Sequence, residues 1–287
     1  MSESISNINW FPGHMAKTRR KITESLSLVD AVVEIVDSRI PLSSRNPELS
    51  DIVQNKPVLI LLNKCDMADP NATKGWINYF KGNGYSALSV DCKSGKGVAQ
   101  VVPTLKEMLK DKIEQNTKKG MAGKALRVMV IGIPNVGKSS FINKIARGNR
   151  AKVEDRPGVT RGNQWFTVDK GLELLDTPGV LWPKFEDQSV GLKLSFTGAI
   201  KDTVLDIETL AVEFLKFTAK NYKNLFDARY KMDIDPEKEP YELLCDIGRK
   251  RGMVVRGGEI DTERAAVMLM DEYRSGLLGK ITLEWAE

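Results

Sequence analysis

The sequence is poor in the residues that metal and redox sites are built from. It has a single histidine, His14, in 287 residues, which excludes a multi-histidine metal centre. Its three cysteines, Cys65, Cys92 and Cys245, show no metal-ligand spacing and cannot all pair, so a disulfide framework is excluded and a reducing cytoplasm is expected. No apolar run approaches the ~20 residues that cross a bilayer, and the polar first ten residues lack a secretory hydrophobic region, so no membrane association is expected. Neither charge sign dominates: 43 Lys and Arg against 38 Asp and Glu give +5 and a pI near 8.9. That balance permits a polyanionic partner without requiring one.

What is present is an ordinary globular composition, 41% hydrophobic and 28% charged, on a chain long enough for two domains. Six short apolar runs read as buried strands: 31–36, 58–62, 86–90, 126–131, 163–168 and 172–175. Helical stretches at 15–29, 74–82, 97–113 and 139–147 alternate with them, which predicts an α/β fold with a mostly parallel six-stranded sheet. Segment 114–125 reads as an exposed connector. Beyond it and the last strand the pattern turns helical, at 204–222, 241–251 and 261–275. The expected division is 1–186 as the α/β domain, 187–203 as a linker and 204–287 as a small all-α domain.

The segment GIPNVGKSS at 132–140 follows a strand and opens a helix, the setting in which G-x-x-x-x-G-K-S wraps phosphates. Gly132 and Gly137 let backbone amides approach, with Asn135, Val136 and Ser140 completing the loop. Lys138 would reach the β and γ phosphates and stabilise charge there during hydrolysis, and Ser139 would place a hydroxyl on Mg²⁺. Further on, LLDTPG at 174–179 ends a strand in D-x-x-G. Asp176 would hold Mg²⁺ and the Gly179 amide would meet the γ-phosphate, while Thr160 in DRPGVTRG, 155–162, would close on both.

The base is indicated by LILLNKCD at 59–66. Asp66 can accept from guanine N1–H and the 2-amino group, which adenine lacks; Asn63 would read the other guanine edge, and the Lys64 stem would lie along the ring. Lys93, in SVDCKSGKG at 89–97, would back the base, although Asp91 and Cys92 replace the Ser-Ala of the usual loop. The base-reading loops here precede the phosphate loop, the reverse of the common GTPase order, so the chain reads as a circularly permuted GTPase. With DSRIP at 37–41, DTPGVLWPKF at 176–185 and WFPGHMAK near the start, it resembles the ribosome biogenesis GTPase A family. That resemblance implies a GTPase in late assembly of the large (50S) ribosomal subunit, with low intrinsic and particle-stimulated turnover, a helical domain against rRNA and ribosomal proteins, and GTP and GDP as ligands.

Two residues stay open at this stage. The position after D-x-x-G, where Ras-like enzymes carry a water-orienting glutamine, is Val180. A helix preceding strand 31–36 should begin at the ligand-bearing sheet edge, so His14 is a candidate to orient water there; the alternative is an arm merely docked by Trp10 and Phe11. Asn135 either helps hold a K⁺ ion near the phosphates, as in potassium-activated GTPases, or braces the loop. Basic clusters at Lys17, Arg19, Arg20 and Lys21, and at Arg249, Lys250, Arg251, Arg256 and Arg264, suit rRNA or are solvated helix faces. A monomer is expected. The rival reading is a regulatory GTPase with a protein partner and no RNA.

Overall fold

The computed structural model describes residues 13–53, 55–147, 153–154, 164–169, 171–177, 179–181, 187–200 and 206–286. The chain runs α1 (Gly13–Leu26), β1 (Ala31–Asp37), α2 (Pro47–Val53), β2 (Val58–Asn63), α3 (Pro70–Gly82) and β3 (Ser86–Ser89). A single 3₁₀ turn (Val98–Gln100) then leads into α4 (Val101–Met108), α5 (Lys110–Lys118), β4 (Leu126–Ile131) and α6 (Lys138–Arg147). There follow β5 (Val153–Glu154), β6 (Gln164–Asp169), β7 (Leu172–Asp176), α7 (Gln188–Phe196), α8 (Ile207–Thr218), α9 (Lys223–Tyr230), α10 (Pro240–Lys250) and α11 (Thr262–Ser275).

One sheet has the order β3-β2-β1-β4-β7-β6-β5. The first five of these are parallel; β6 pairs antiparallel with β7 and with β5. All six expected strands are present, and the two-residue β5 adds a seventh at the antiparallel edge. Register explains the burial: Val33 and Ile35 of β1 enter one core and Val32 and Val36 the other, as the period of two demands. The first core packs the sheet against α4 and α6 through Val101, Leu105 and Phe141. The second packs it against α1, α2 and α3 through Ile22, Leu49, Trp76 and Phe80. Asp69 caps α3, its carboxylate accepting from the Asn71 and Ala72 amides, with Pro70 as the first helical residue.

Two expectations need correction. Segment 114–125 is not wholly a connector, because α5 continues to Lys118; its residues are polar but mostly good helix formers, and the chain first turns left-handed at Gly120, φ 75°. The 187–203 linker contains α7, which is apolar on two sides: Leu192 and Phe196 join the helical core while Leu194 joins the sheet core. A helix that buries both faces is a wedge between layers.

The helical layer packs α8, α10 and α11 around Phe214, Leu244, Ile247 and Leu269, with the Phe214 and Tyr273 rings 4.5 Å apart. Beyond α11 the chain returns to the sheet. Ile281 N–H donates to Met67 O (3.1 Å), Leu283 N–H to Arg39 O (2.8 Å), and Trp76 Nε1–H to Glu284 O (2.8 Å). The Glu284 carboxylate accepts from Leu42 N–H (2.8 Å), Lys193 Nζ (3.2 Å) and Ser43. These bonds satisfy backbone and carboxylate groups that burial would otherwise leave unpaired.

Candidate active site

The loops after β4, β1 and β2 emerge at one edge because these neighbouring strands are parallel, which is where α/β sheets hold ligands. The loop after β4 approaches its neighbours too closely for side chains at its glycines. A Cβ on Gly132 would lie 2.6 Å from Ile35 O, and one on Gly137, at φ 102°, would lie 2.3 Å from Asn63 Nδ2. Gly179 meets the same loop from the β7 side, where a Cβ would stand 2.8 Å from Lys138 Nζ. The three glycines are thus set by close backbone approach around one point.

Lys138 and Asp176 define that point electrostatically. Lys138 is buried, and its Nζ donates to Gly132 O (3.0 Å) and Ile133 O (2.8 Å). Burial lowers its pKa to about 8, with Asp176 opposing the shift. Burial likewise raises the Asp176 carboxyl, with Lys138 opposing it, and Asp176 Oδ1 has no hydrogen-bond partner among the described residues. A buried cation on carbonyls beside a half-buried carboxylate with one unsatisfied oxygen fits a site for a phosphate and a divalent ion together. Among the described residues no group of three His, Cys, Asp or Glu could hold a metal ion. Ser139 and Ser140 open α6 and are exposed; Val136 is buried. Thr160 lies outside the described residues.

Asn63 has a bracing role that the sequence did not suggest. It is 3% exposed, its Nδ2 donates to Val136 O (2.7 Å) and its Oδ1 accepts from Cys92 N–H (3.0 Å). The amide thus ties the phosphate loop to the loop after β3, and because its NH2 group carries two donors this brace is compatible with a contact to a guanine edge. Lys64, at φ 61°, sends its Nζ to Asp37 Oδ2 (2.9 Å), and Asp66 is exposed at the cavity rim. Asp91 accounts for the departure in its loop: its carboxylate accepts from Lys93 N–H (2.8 Å) and Ser94 N–H (3.3 Å), shaping the turn that presents the exposed Lys93. These side chains share a cavity of about 460 Å³ with Asn135, Gly137, Ser140 and, from α11, Arg274.

The chemistry of DSRIP was not legible from sequence. Asp37 and the fully buried Arg39 form a bidentate pair (2.9 and 2.7 Å), and Arg39 stacks on the Tyr273 ring of α11 at 4.9 Å. Burial alone would raise the Asp37 carboxyl, but Arg39 and Lys64 outweigh it and hold it well below the usual carboxylate range. The base-reading turn is therefore wired to the helical layer. D-x-R at the end of a buried strand, next to N-K-x-D, was the available signal; Arg274, far off in α11, gave none.

Val180 is buried, its amide reaching Gly132 O (3.4 Å) and its carbonyl accepting from Asn46 Nδ2 (3.2 Å), so that position faces the core. Asn135, at φ 58°, donates from Nδ2 to Gly198 O (2.7 Å) just beyond α7. His14 lies in the first turn of α1, which leads into β1; its side chain is outside the described residues. Of the basic residues, Arg20 pairs with Glu24, Arg249 with Asp246, and Arg251 with Glu272.

Phosphate loop, N-K-x-D turn and D-x-x-G loop, gathered on one sheet edge in permuted chain order, define a circularly permuted GTPase. Comparison with known proteins agrees. Residues 127–240 match the family model described as 50S ribosome-binding GTPase. The chain is 49% identical over 280 residues to ribosome biogenesis GTPase A of Bacillus cereus, covering 98% of this chain and 94% of that protein. A GDP-bound YlqF structure matches at TM-score 0.66 with 27% identity, covering 93% of this chain and 99% of that one. GNP-bound YlqF from T. maritima matches at 0.65 with 27% identity, covering 94% and 99%. The chain belongs to the ribosome biogenesis GTPase A family, and its enzymatic activity is GTP hydrolysis.

Proposed function

We propose that this chain is a late assembly factor of the large (50S) ribosomal subunit that hydrolyses GTP in response to the particle. The observation that carries the GTPase chemistry is the buried Lys138, its ammonium resting on two carbonyls, beside the half-buried Asp176, whose Oδ1 has no hydrogen-bond partner among the described residues. The particle as partner is supported by the matched family's description and the names of the relatives.

In this reading Asp66 selects guanine, because a base without donors would leave the carboxylate unpaired. Lys138 exchanges its carbonyl contacts for phosphate oxygens and neutralises charge that builds on them. Mg²⁺, when bound, supplies further charge neutralisation; Ser139, Thr160 and Asp176 are the residues that would hold it. Gly179 offers its amide to the terminal phosphate. His14, at the start of α1, orients water in place of the side chain that Val180 cannot provide. Asn135 helps hold K⁺ through its Oδ1 while its Nδ2 keeps Gly198. Residues 204–287, with exposed Lys250, Arg256 and Arg264, face rRNA and ribosomal proteins in the cytoplasm, and the protein acts as a monomer.

GTP turnover with and without purified 50S subunits tests this. Particles should raise kcat in KCl, and His14→Ala should lose that rise while binding GTP normally. Turnover that ignores the particle, or equal stimulation of both proteins, would refute the corresponding part. Stimulation only by a protein fraction free of RNA would favour the regulatory reading.

A further inference from the structure

The wall of the nucleotide cavity includes a residue of the helical layer, Arg274. Its guanidinium is held by the last turn of α7, with Nε donating to Phe196 O (3.1 Å) and Nη2 to Ser195 O (2.8 Å). Carbonyls at a helix C-terminus lack intrahelical partners and favour a cation, so this placement is set by the fold. The same turn reaches the phosphate loop, since Gly198 O accepts from Asn135 Nδ2 (2.7 Å). Two residues past Arg274, Gly276 backs onto the base-reading turn, where a Cβ would lie 3.0 Å from Met67 Cγ. Arg274 therefore stands between Asn135 on the phosphate side and Met67, next to Asp66, on the base side. In a nucleotide, the group between base and phosphates is the sugar.

We propose that Arg274 is a nucleotide-contacting residue supplied by the helical layer, covering the sugar of the bound guanine nucleotide and donating a hydrogen bond to one of its hydroxyl oxygens. The inference rests on the GTP-site reading above. Guanidinium has only donors and a fixed fork, which suits a hydroxyl oxygen as acceptor. The Arg39–Tyr273 stack one residue earlier holds α11 in place, so little order is lost on contact. The sugar contact makes nucleotide occupancy and docking of the helical layer stabilise each other, because such coupling is reciprocal.

Calorimetric titration of the full chain with GDP, 2′-deoxy-GDP, 3′-deoxy-GDP and ADP tests this. The parent protein should bind GDP about tenfold more tightly than at least one deoxy analogue, the size of one hydrogen bond from a charged donor. In Arg274→Gln that difference should vanish, GDP falling to the level of the analogue. A residue that only fixes α7 would weaken all three guanine ligands by one factor and leave the difference intact; that result, or no difference in the parent, overturns the proposal. Should Arg274→Gln not fold, Arg274→Lys goes through the same series, where the difference should shrink to about threefold or less because the fork is lost. An unchanged difference there also overturns it. Failure of the GTP-site reading looks different: the parent would not bind GDP, or would bind ADP equally well.

Discussion

Binding of a nucleotide phosphate should draw a proton onto Lys138. In the free protein burial holds this lysine at about 8, so much of it is neutral in mildly alkaline solution. A phosphate beside Nζ restores the charged form and lifts the value toward or above the ordinary 10.5. The sign follows: the free protein loses the proton as pH rises through its depressed value while the complex keeps it, so affinity falls with rising pH. With one titrating group, the Kd for GDP should rise about fourfold between about pH 7 and about pH 8.5, with uptake of about 0.8 proton per complex at the upper end. Calorimetry of GDP binding in chelator, repeated in buffers of different ionisation enthalpy, measures both quantities. Guanosine shares the base but has no phosphate, so it corrects for titration of the base. A Kd for GDP that tracks guanosine across this range, with no net proton uptake, would refute the reasoning and place the Lys138 proton elsewhere.

Two further outcomes follow from buried polar groups outside the phosphate site. Arg39→Met leaves Asp37 buried with only Lys64 against it, which should cost about 3 kcal/mol and lower Tm by roughly 6–12 °C in a thermal melt; an unchanged Tm would mean that the pair is not buried in solution. Asn63→Ala strands Val136 O and Cys92 N–H, so the nucleotide-free protein should lose about 2 kcal/mol in a urea titration. A protein of parental stability would mean that Asn63 does not brace the two loops in solution.

Sequence spacing was enough for the parts that are local. Gly132, Gly137 and Lys138 follow a buried strand and open a helix, and nearest-neighbour geometry alone makes that a phosphate loop. Continuous apolar runs gave the strands, since a parallel sheet covered on both faces buries successive residues alike. The permuted order was also readable, because it is an order of motifs along the chain. Asn63 shows where this stops. Its residue type and spacing suit a base contact, and only the approach of Val136 and Cys92 from two other loops shows that it is also a brace. The helix within 187–203 is hidden from the sequence for a related reason: apolar residues on both sides of α7 carry no single stripe, and two layers must be present before such a helix has anything to bury against.

By itself, then, the sequence determined the phosphate and base-reading motifs, the permutation and the succession of strands and helices, all consequences of covalent neighbours and local periodicity. Only the tertiary structure decided that Asp37 and Arg39 link the base turn to α11, that Asn63 braces the phosphate loop, that Val180 faces the core and that Arg274 stands at the nucleotide cavity. Each of these depends on desolvation and hydrogen-bond satisfaction between segments far apart in the chain. A buried carboxylate or guanidinium is tolerated only beside its partner, and that partner is fixed by packing.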